Sequence, residues 1–255
     1  MADKIVLFGK ITLYPYSILM VLGVTVCFLL FMLLTFKRHK QTADENLFVL
    51  SAFVIALGLA FPASMVVDSL FKMAETGKFV LGDSTFYGGA LTALAVFSLI
   101  LLAKRNRKVS IYERLCDIAP CIPAGHFFGR IGCFLGGCCF GCPTDSFLGV
   151  VFPENSPAYN YYGGYVAVHP TQLYEAAYLL AMFLFLFFFV KEDGFPMYLI
   201  LYGAGRTFIE FFRSDDRGST GLPLSPAQLI SIILIIVGVL LVTANAKRRK
   251  NKNLN

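Results

Sequence analysis

The sequence predicts an all-α, polytopic membrane protein of about seven transmembrane helices, with the N-terminus out and the C-terminus in. Three observations carry that prediction. Of 255 residues 57% are hydrophobic and only 15% charged, whereas soluble domains carry about 25% charged residues. The apolar residues are gathered into charge-free stretches of 26 residues (Ile11 to Phe36), 22 (Asn46 to Val67), 20 (Ser84 to Ala103) and 29 (Gly218 to Ala246). Each suffices for the roughly 20 residues that cross a bilayer core as a helix. Lysine and arginine are also unevenly divided: fourteen fall in one set of alternate connections and six in the other. Because basic residues accumulate on the cytoplasmic side, this sets the orientation.

The spans follow in order. The first, 11–36, is too long for a signal-peptide core and no small-residue cleavage site follows it, so it is expected to remain in place. The second and third, 47–67 and 86–103, are uninterrupted. The fourth, 115–136, contains Arg130, and the sixth, 195–213, contains Arg206 and Glu210. The fifth, 170–190, begins at a proline, and the seventh, 224–245, ends before Lys247, Arg248, Arg249, Lys250 and Lys252. A second basic cluster, Lys104, Arg105, Arg107 and Lys108, follows the third span. Both clusters abut apolar runs, where basic residues fix topology and meet anionic head groups, so the net charge of +6 points to membrane lipids and excludes nucleic acid as a partner. One membrane domain is expected over residues 1–255. Within it the long connection 138–169 lies outside, without obvious secondary structure, and its Tyr159, Tyr161, Tyr162 and Tyr165 suit a head-group layer.

The charges inside spans carry the functional signal. A central charge costs about 2.5–3.5 kcal/mol on insertion scales, so such residues face partners or cavities. Tyr202, Arg206, Glu210 and Arg213 are spaced to share one helical stripe, and His126 and Arg130 another. Arg206 and Glu210 read either as a packing ion pair or as part of a site. Arg130 has no carboxylate nearby in the sequence, and a phospholipid phosphate is the abundant anion of its surroundings. Guanidinium groups bind phosphate bidentately and keep their charge when desolvated. Two arginines converging on one phosphate is therefore the expectation. Gly88, Gly89, Gly129, Gly132, Gly136, Gly137, Gly141, Gly203 and Gly205 permit close approach of helices or a ligand. His126 is the candidate general base, since an ordinary imidazole titrates near neutrality. His169, before Pro170, sits at the start of the fifth span.

Four cysteines, Cys133, Cys138, Cys139 and Cys142, cluster at the end of the fourth span. They read as inert thiols, as a disulfide with Cys139 and Cys142 at redox-type spacing, or as metal ligands. Only one of the two CxxC knuckles of an ordinary structural zinc site is present, so no metal and no cofactor is assigned. Cys27, Cys116 and Cys121 read as small apolar residues.

Together several segments resemble the bacterial prolipoprotein diacylglyceryl transferases. Gly129-Arg130-Ile131-Gly132 followed by Cys133-Phe134 is similar to the family's arginine signature. His169-Pro170-Thr171-Gln172-Leu173-Tyr174-Glu175 is similar to a second box, and Arg206-Thr207-Phe208-Ile209-Glu210-Phe211-Phe212-Arg213 to a third. Tyr16 with Gly23, and Tyr87-Gly88-Gly89, resemble two further features. The resemblance covers most of the chain and implies seven spans in a bacterial cytoplasmic membrane. It also implies transfer of the diacylglyceryl group from phosphatidylglycerol to the lipobox cysteine beside the signal-peptide segment of a prolipoprotein, with glycerol phosphate released. By this carry-over Arg130 and Arg206 would hold the phosphate, Glu210 and Arg213 support them, and Tyr16 contributes from the first span. The base is left among His126, Tyr87 and the substrate phosphate. Gly88, Gly89, Tyr202 and His169 are expected in the donor site.

This chain departs from the family pattern at Cys133, where many members have asparagine, at Cys138, where they have an acidic residue, and at Tyr87, where many have histidine. A family paralogue with a different acceptor is therefore an alternative. So are a thiol oxidoreductase using the cysteine cluster and a lipid transporter in which the arginines bind phosphate without chemistry. Serine at Cys139 and Cys142 would abolish an oxidoreductase, whereas alanine at Arg206 would abolish the transferase.

Overall fold

The computed structural model describes residues 5–7, 11–78, 86–104, 108–213 and 224–254. Arg105 and Arg107 of the second basic cluster lie outside the described residues. Helix occupies the body of each of the seven predicted stretches. Among the described residues, five helical stretches are long and apolar enough to cross a membrane: Pro15–Arg38, Ala43–Leu70, Ile111–Gly136, Thr171–Phe189 and Pro226–Asn251. A shorter apolar helix covers Gly88–Ala103.

The chain forms two compact units, Met32–Arg114 and Met1–Phe31 with Leu115–Asn255. The smaller unit is built on α2 (Ala43–Thr76) and α3 (Phe86–Ala103). A Thr42–Glu45 capping box starts α2 and Gly77, in the left-handed region at φ 68°, ends it. These signals place the helix well beyond the predicted 47–67, and Asp68 and Lys72 form an i,i+4 ion pair of 3.0 Å in its last turns. The two helices pack through the edge-on rings of Phe53 and Phe97 and through Gly89, where a Cβ would stand 3.4 Å from the Ala60 carbonyl oxygen. Arg114 is buried and donates to the side-chain oxygen of Gln41.

In the larger unit the chain opens with a hairpin, β1 (Ile5–Leu7) against antiparallel β2 (Ile11–Leu13). The first span therefore starts later than predicted, at α1 (Pro15–Arg38). The β-branched Ile11 and Thr12 favour strand over residues 11–13, and Pro15 suits a helix's first turn. The predicted fourth span is two helices, α4 (Ile111–Ile118) and α5 (Cys121–Gly136). Pro120 explains the break, since it supplies no N–H and disfavours helical backbone at Ala119. On α5, Gly125 meets Gly23 of α1 so closely that a Cβ at residue 23 would lie 2.4 Å from the Gly125 carbonyl oxygen. Backbone cannot yield as a flexible side chain can, so Gly23→Ala is expected to destabilise the fold by about 1–3 kcal/mol, as a lowered unfolding midpoint in detergent would register.

The 138–169 connection has more structure than expected. It contains β3 (Val150–Val151) paired with β4 (Ala167–Val168) and a short α6 (Pro157–Tyr162), closed over a small core of Phe140, Phe152, Ala158 and Val168. Beyond it come α7 (Thr171–Phe189), α8 (Gly194–Glu210) and α9 (Pro226–Leu254). The last helix runs on through the predicted basic tail, 247–252, and Arg249 pairs with Glu192 and Asp193. Close packing of α8 on α9 uses Gly203, where a Cβ would lie 2.6 Å from the Ser231 carbonyl oxygen.

Candidate active site

Helices α5, α7 and α8 of the larger unit bring His126, Arg130, Glu175, Arg206 and Glu210 into one buried cluster. Arg130 Nη2 lies 2.8 Å from Glu175 Oε1, and Arg206 Nη2 lies 2.8 Å from Glu210 Oε2. Arg206 Nη1 also faces Glu175, 3.8 Å from Oε2. Glu175 is 2% exposed, Arg206 3% and Arg130 8%. Two guanidinium groups from different helices thus converge on one carboxylate.

This corrects the sequence reading of Arg130. It lacks a carboxylate in its own stretch, but α7 supplies one. Arg206 and Glu210 do form the i,i+4 pair their spacing allows, and Ser225 Oγ donates to Glu210 Oε1 at 2.9 Å. Arg206 Nη1 is buried without a hydrogen-bond acceptor among the described residues. Both Glu175 oxygens are likewise without a hydrogen-bond donor among the described residues, so the arginines and this carboxylate attract as charges.

His126 Nε2 accepts a hydrogen bond from Arg130 Nε at 3.2 Å. That nitrogen is an acceptor occupied by the arginine. Tyr202, buried, stacks on Tyr198 with centroids 5.7 Å apart and lies 6.1 Å from the His126 ring. It extends the Arg206 stripe as expected. Arg213 does not: α8 ends at Glu210, tighter i→i+3 bonds carry the chain through Phe212 and Arg213, and Arg213 forms a backbone bridge with Gly141. Its charge still acts on Glu175.

Tyr16 of α1 lies over Gly132, where a Cβ would come within 3.2 Å of its ring. His169 pairs its Nδ1 with the Tyr174 hydroxyl at 3.0 Å and meets the Phe212 ring edge-on at 5.3 Å. Its backbone exchanges hydrogen bonds with the 141–142 segment. Tyr87, Gly88 and Gly89 open α3 in the other compact unit. An open apolar groove between α7 and α8 is lined by Tyr174, Tyr178, Gly205 and Phe208.

Sequence reasoning missed Glu175, Gln172 and Thr171 as site residues. Gln172 Nε2 donates to the Cys138 carbonyl at 2.6 Å and Thr171 Oγ1 to the Cys139 carbonyl at 2.8 Å, fixing the cysteine loop to the start of α7. The signal was available: Glu175 is a solitary charge inside an apolar span. Cys139 and Cys142 are not disulfide-bonded, and the Cys142 thiol donates instead to the Phe212 carbonyl at 3.1 Å.

A family model for prolipoprotein diacylglyceryl transferase matches residues 4–244. The chain belongs to the prolipoprotein diacylglyceryl transferase family. Relatives named phosphatidylglycerol–prolipoprotein diacylglyceryl transferase agree over nearly their whole length. The one numbered 2 in Clostridium perfringens is 32% identical over 250 residues, covering 94% of this chain and 93% of its own. The Clostridium tetani relative is 31% identical over 254 residues, 96% of this chain and 97% of its own. One from Dehalococcoides mccartyi is 31% identical over 263 residues, covering 97% and 95%. In this member of the family the buried arginines belong to two of the motifs that carried the resemblance, and Glu175 closes the third.

Proposed function

We propose that this chain transfers the diacylglyceryl group of phosphatidylglycerol to the lipobox cysteine thiol of a prolipoprotein. The sulfur–carbon bond forms as the bond from the glyceryl carbon to its phosphate oxygen breaks. The thiol proton balances the charge on the released glycerol phosphate. One observation carries the assignment of the site: Arg130 and Arg206 reach from separate helices to the same two-oxygen anion. A phosphate offers more oxygens than a carboxylate to such a pair, and fixed cations stabilise the charge that builds on it as the ester bond breaks.

Glu175 and Glu210 hold the guanidinium groups in place, with Arg213 acting on the same cluster. Tyr16, Tyr202 and His169 are assigned to the donor lipid, and the groove between α7 and α8 to its lateral entry. The single domain of residues 1–255 crosses the bacterial cytoplasmic membrane seven times, N-terminus out and C-terminus in, with the site toward the outer half. The signal-peptide segment of the acceptor approaches from that side.

The test is release of glycerol phosphate from phosphatidylglycerol by the purified chain, dependent on an added lipobox peptide. No release above a peptide with serine in place of the lipobox cysteine would overturn the proposal. The same assay separates the readings of His126. As a positioning residue it tolerates His126→Gln, which keeps an acceptor for Arg130, with most turnover and an unchanged pH profile. An essential base would lose about 10²–10⁴-fold.

A further inference from the structure

The cysteines at the end of α5 are arranged for something that neither phosphate binding nor packing requires. The sulfurs of Cys133, Cys138 and Cys139 lie within 4.8 Å of one another. Cys133 reaches in from the last turn of α5, and the other two follow the left-handed cap at Gly137. Cys139 itself adopts φ 62°, a conformation that costs a residue with a Cβ about 1–2 kcal/mol and persists where the surroundings enforce it. The enforcement is visible: Gln172 and Thr171, both fully buried, grip the carbonyls of Cys138 and Cys139. Cys142, the partner that CxxC spacing would choose, is turned away to Phe212. The Arg130 and Arg213 charges act on the Cys139 sulfur.

We propose that Cys133, Cys138 and Cys139 form a binding site for a single thiophilic metal ion, with zinc as the test ion. Zinc–sulfur bonds of about 2.3 Å in a tetrahedral site put sulfurs about 3.8 Å apart, so the trio closes by at most about 1 Å. Binding releases the thiol protons, and the charges of Arg130 and Arg213 offset part of the negative charge of three thiolates. Three protein ligands leave the fourth position to an exogenous group, as in zinc sites that act on a bound ligand. The inference concerns binding and does not depend on the transferase reading.

Cobalt(II) added to the reduced, full-length chain in detergent under anaerobic conditions is expected to give thiolate-to-cobalt charge-transfer absorption that zinc abolishes. Zinc X-ray absorption is expected to show three sulfur neighbours. Serine at Cys133, Cys138 or Cys139 should weaken zinc binding by more than about 100-fold, since losing a ligand costs no less than losing its hydrogen-bond partner. Cys142→Ser should leave binding unchanged. The proposal is overturned if the wild type gives no charge-transfer band, if fewer than three sulfurs surround zinc, or if Cys142→Ser abolishes the signal. Because the absorption measurement uses the unmodified chain, a serine variant that fails to fold does not remove the test.

Discussion

Arg206→Ala is expected to lower the rate of diacylglyceryl transfer by about 10²–10³-fold, the usual loss when one fixed donor to a developing oxyanion is removed. Arg206 is paired on one side with Glu210 and faces Glu175 on the other. Its removal takes away the donor and leaves Glu210 without its i,i+4 partner, while Glu210 Oε1 still accepts from Ser225 Oγ. Arg206→Lys keeps the charge but not the planar fork, so recovery should be partial. Initial rates of glycerol phosphate release at saturating peptide measure both variants. Wild-type turnover in Arg206→Ala would remove this arginine from the site.

Glu175→Ala carries the largest expected effect on stability. The carboxylate joins Arg130 and Arg206 at a point 2% exposed, and His126 Nε2 lies 3.8 Å from it as well. Removing one partner of a buried pair costs about 3–5 kcal/mol because the other charge stays behind unpaired. The midpoint of thermal unfolding in detergent should fall sharply. Glu175→Gln, which preserves shape without charge, should fall almost as far. If phosphate occupies the arginines, added phosphatidylglycerol should restore part of the loss in Glu175→Gln, through binding to the folded state alone. An unchanged midpoint in both variants would show that Glu175 does not organise the cluster.

Most of the helical organisation was legible because apolar run length reports it directly: each of the seven stretches contains helix. The boundaries moved where local chemistry outweighs hydropathy. Pro120 splits the fourth stretch, β-branched Ile11 and Thr12 join a hairpin, and the Thr42–Glu45 box starts α2 ahead of its apolar run. Arg130, Arg206 and Glu210 stood out as charges inside spans, and the structure brings them together. Glu175 carried the same signal in the fifth span, but pairing between helices leaves no trace in the spacing of one chain segment. Arg213 shows the reverse error, since helical spacing placed it on a stripe that ends before the residue is reached. The grouping of Cys133, Cys138 and Cys139 without Cys142 depends on the left-handed backbone at Gly137 and Cys139, which spacing does not encode.

The most direct measurement of the central claim is the mass of a lipobox peptide after incubation with this chain and labelled phosphatidylglycerol. The account predicts a peptide heavier by one labelled diacylglyceryl unit, on the cysteine sulfur, with that product falling with Arg130→Ala and Arg206→Ala. An unmodified peptide under conditions in which the Clostridium tetani relative modifies it would contradict the proposed reaction. A product that persists at wild-type level in both arginine variants would contradict the proposed site.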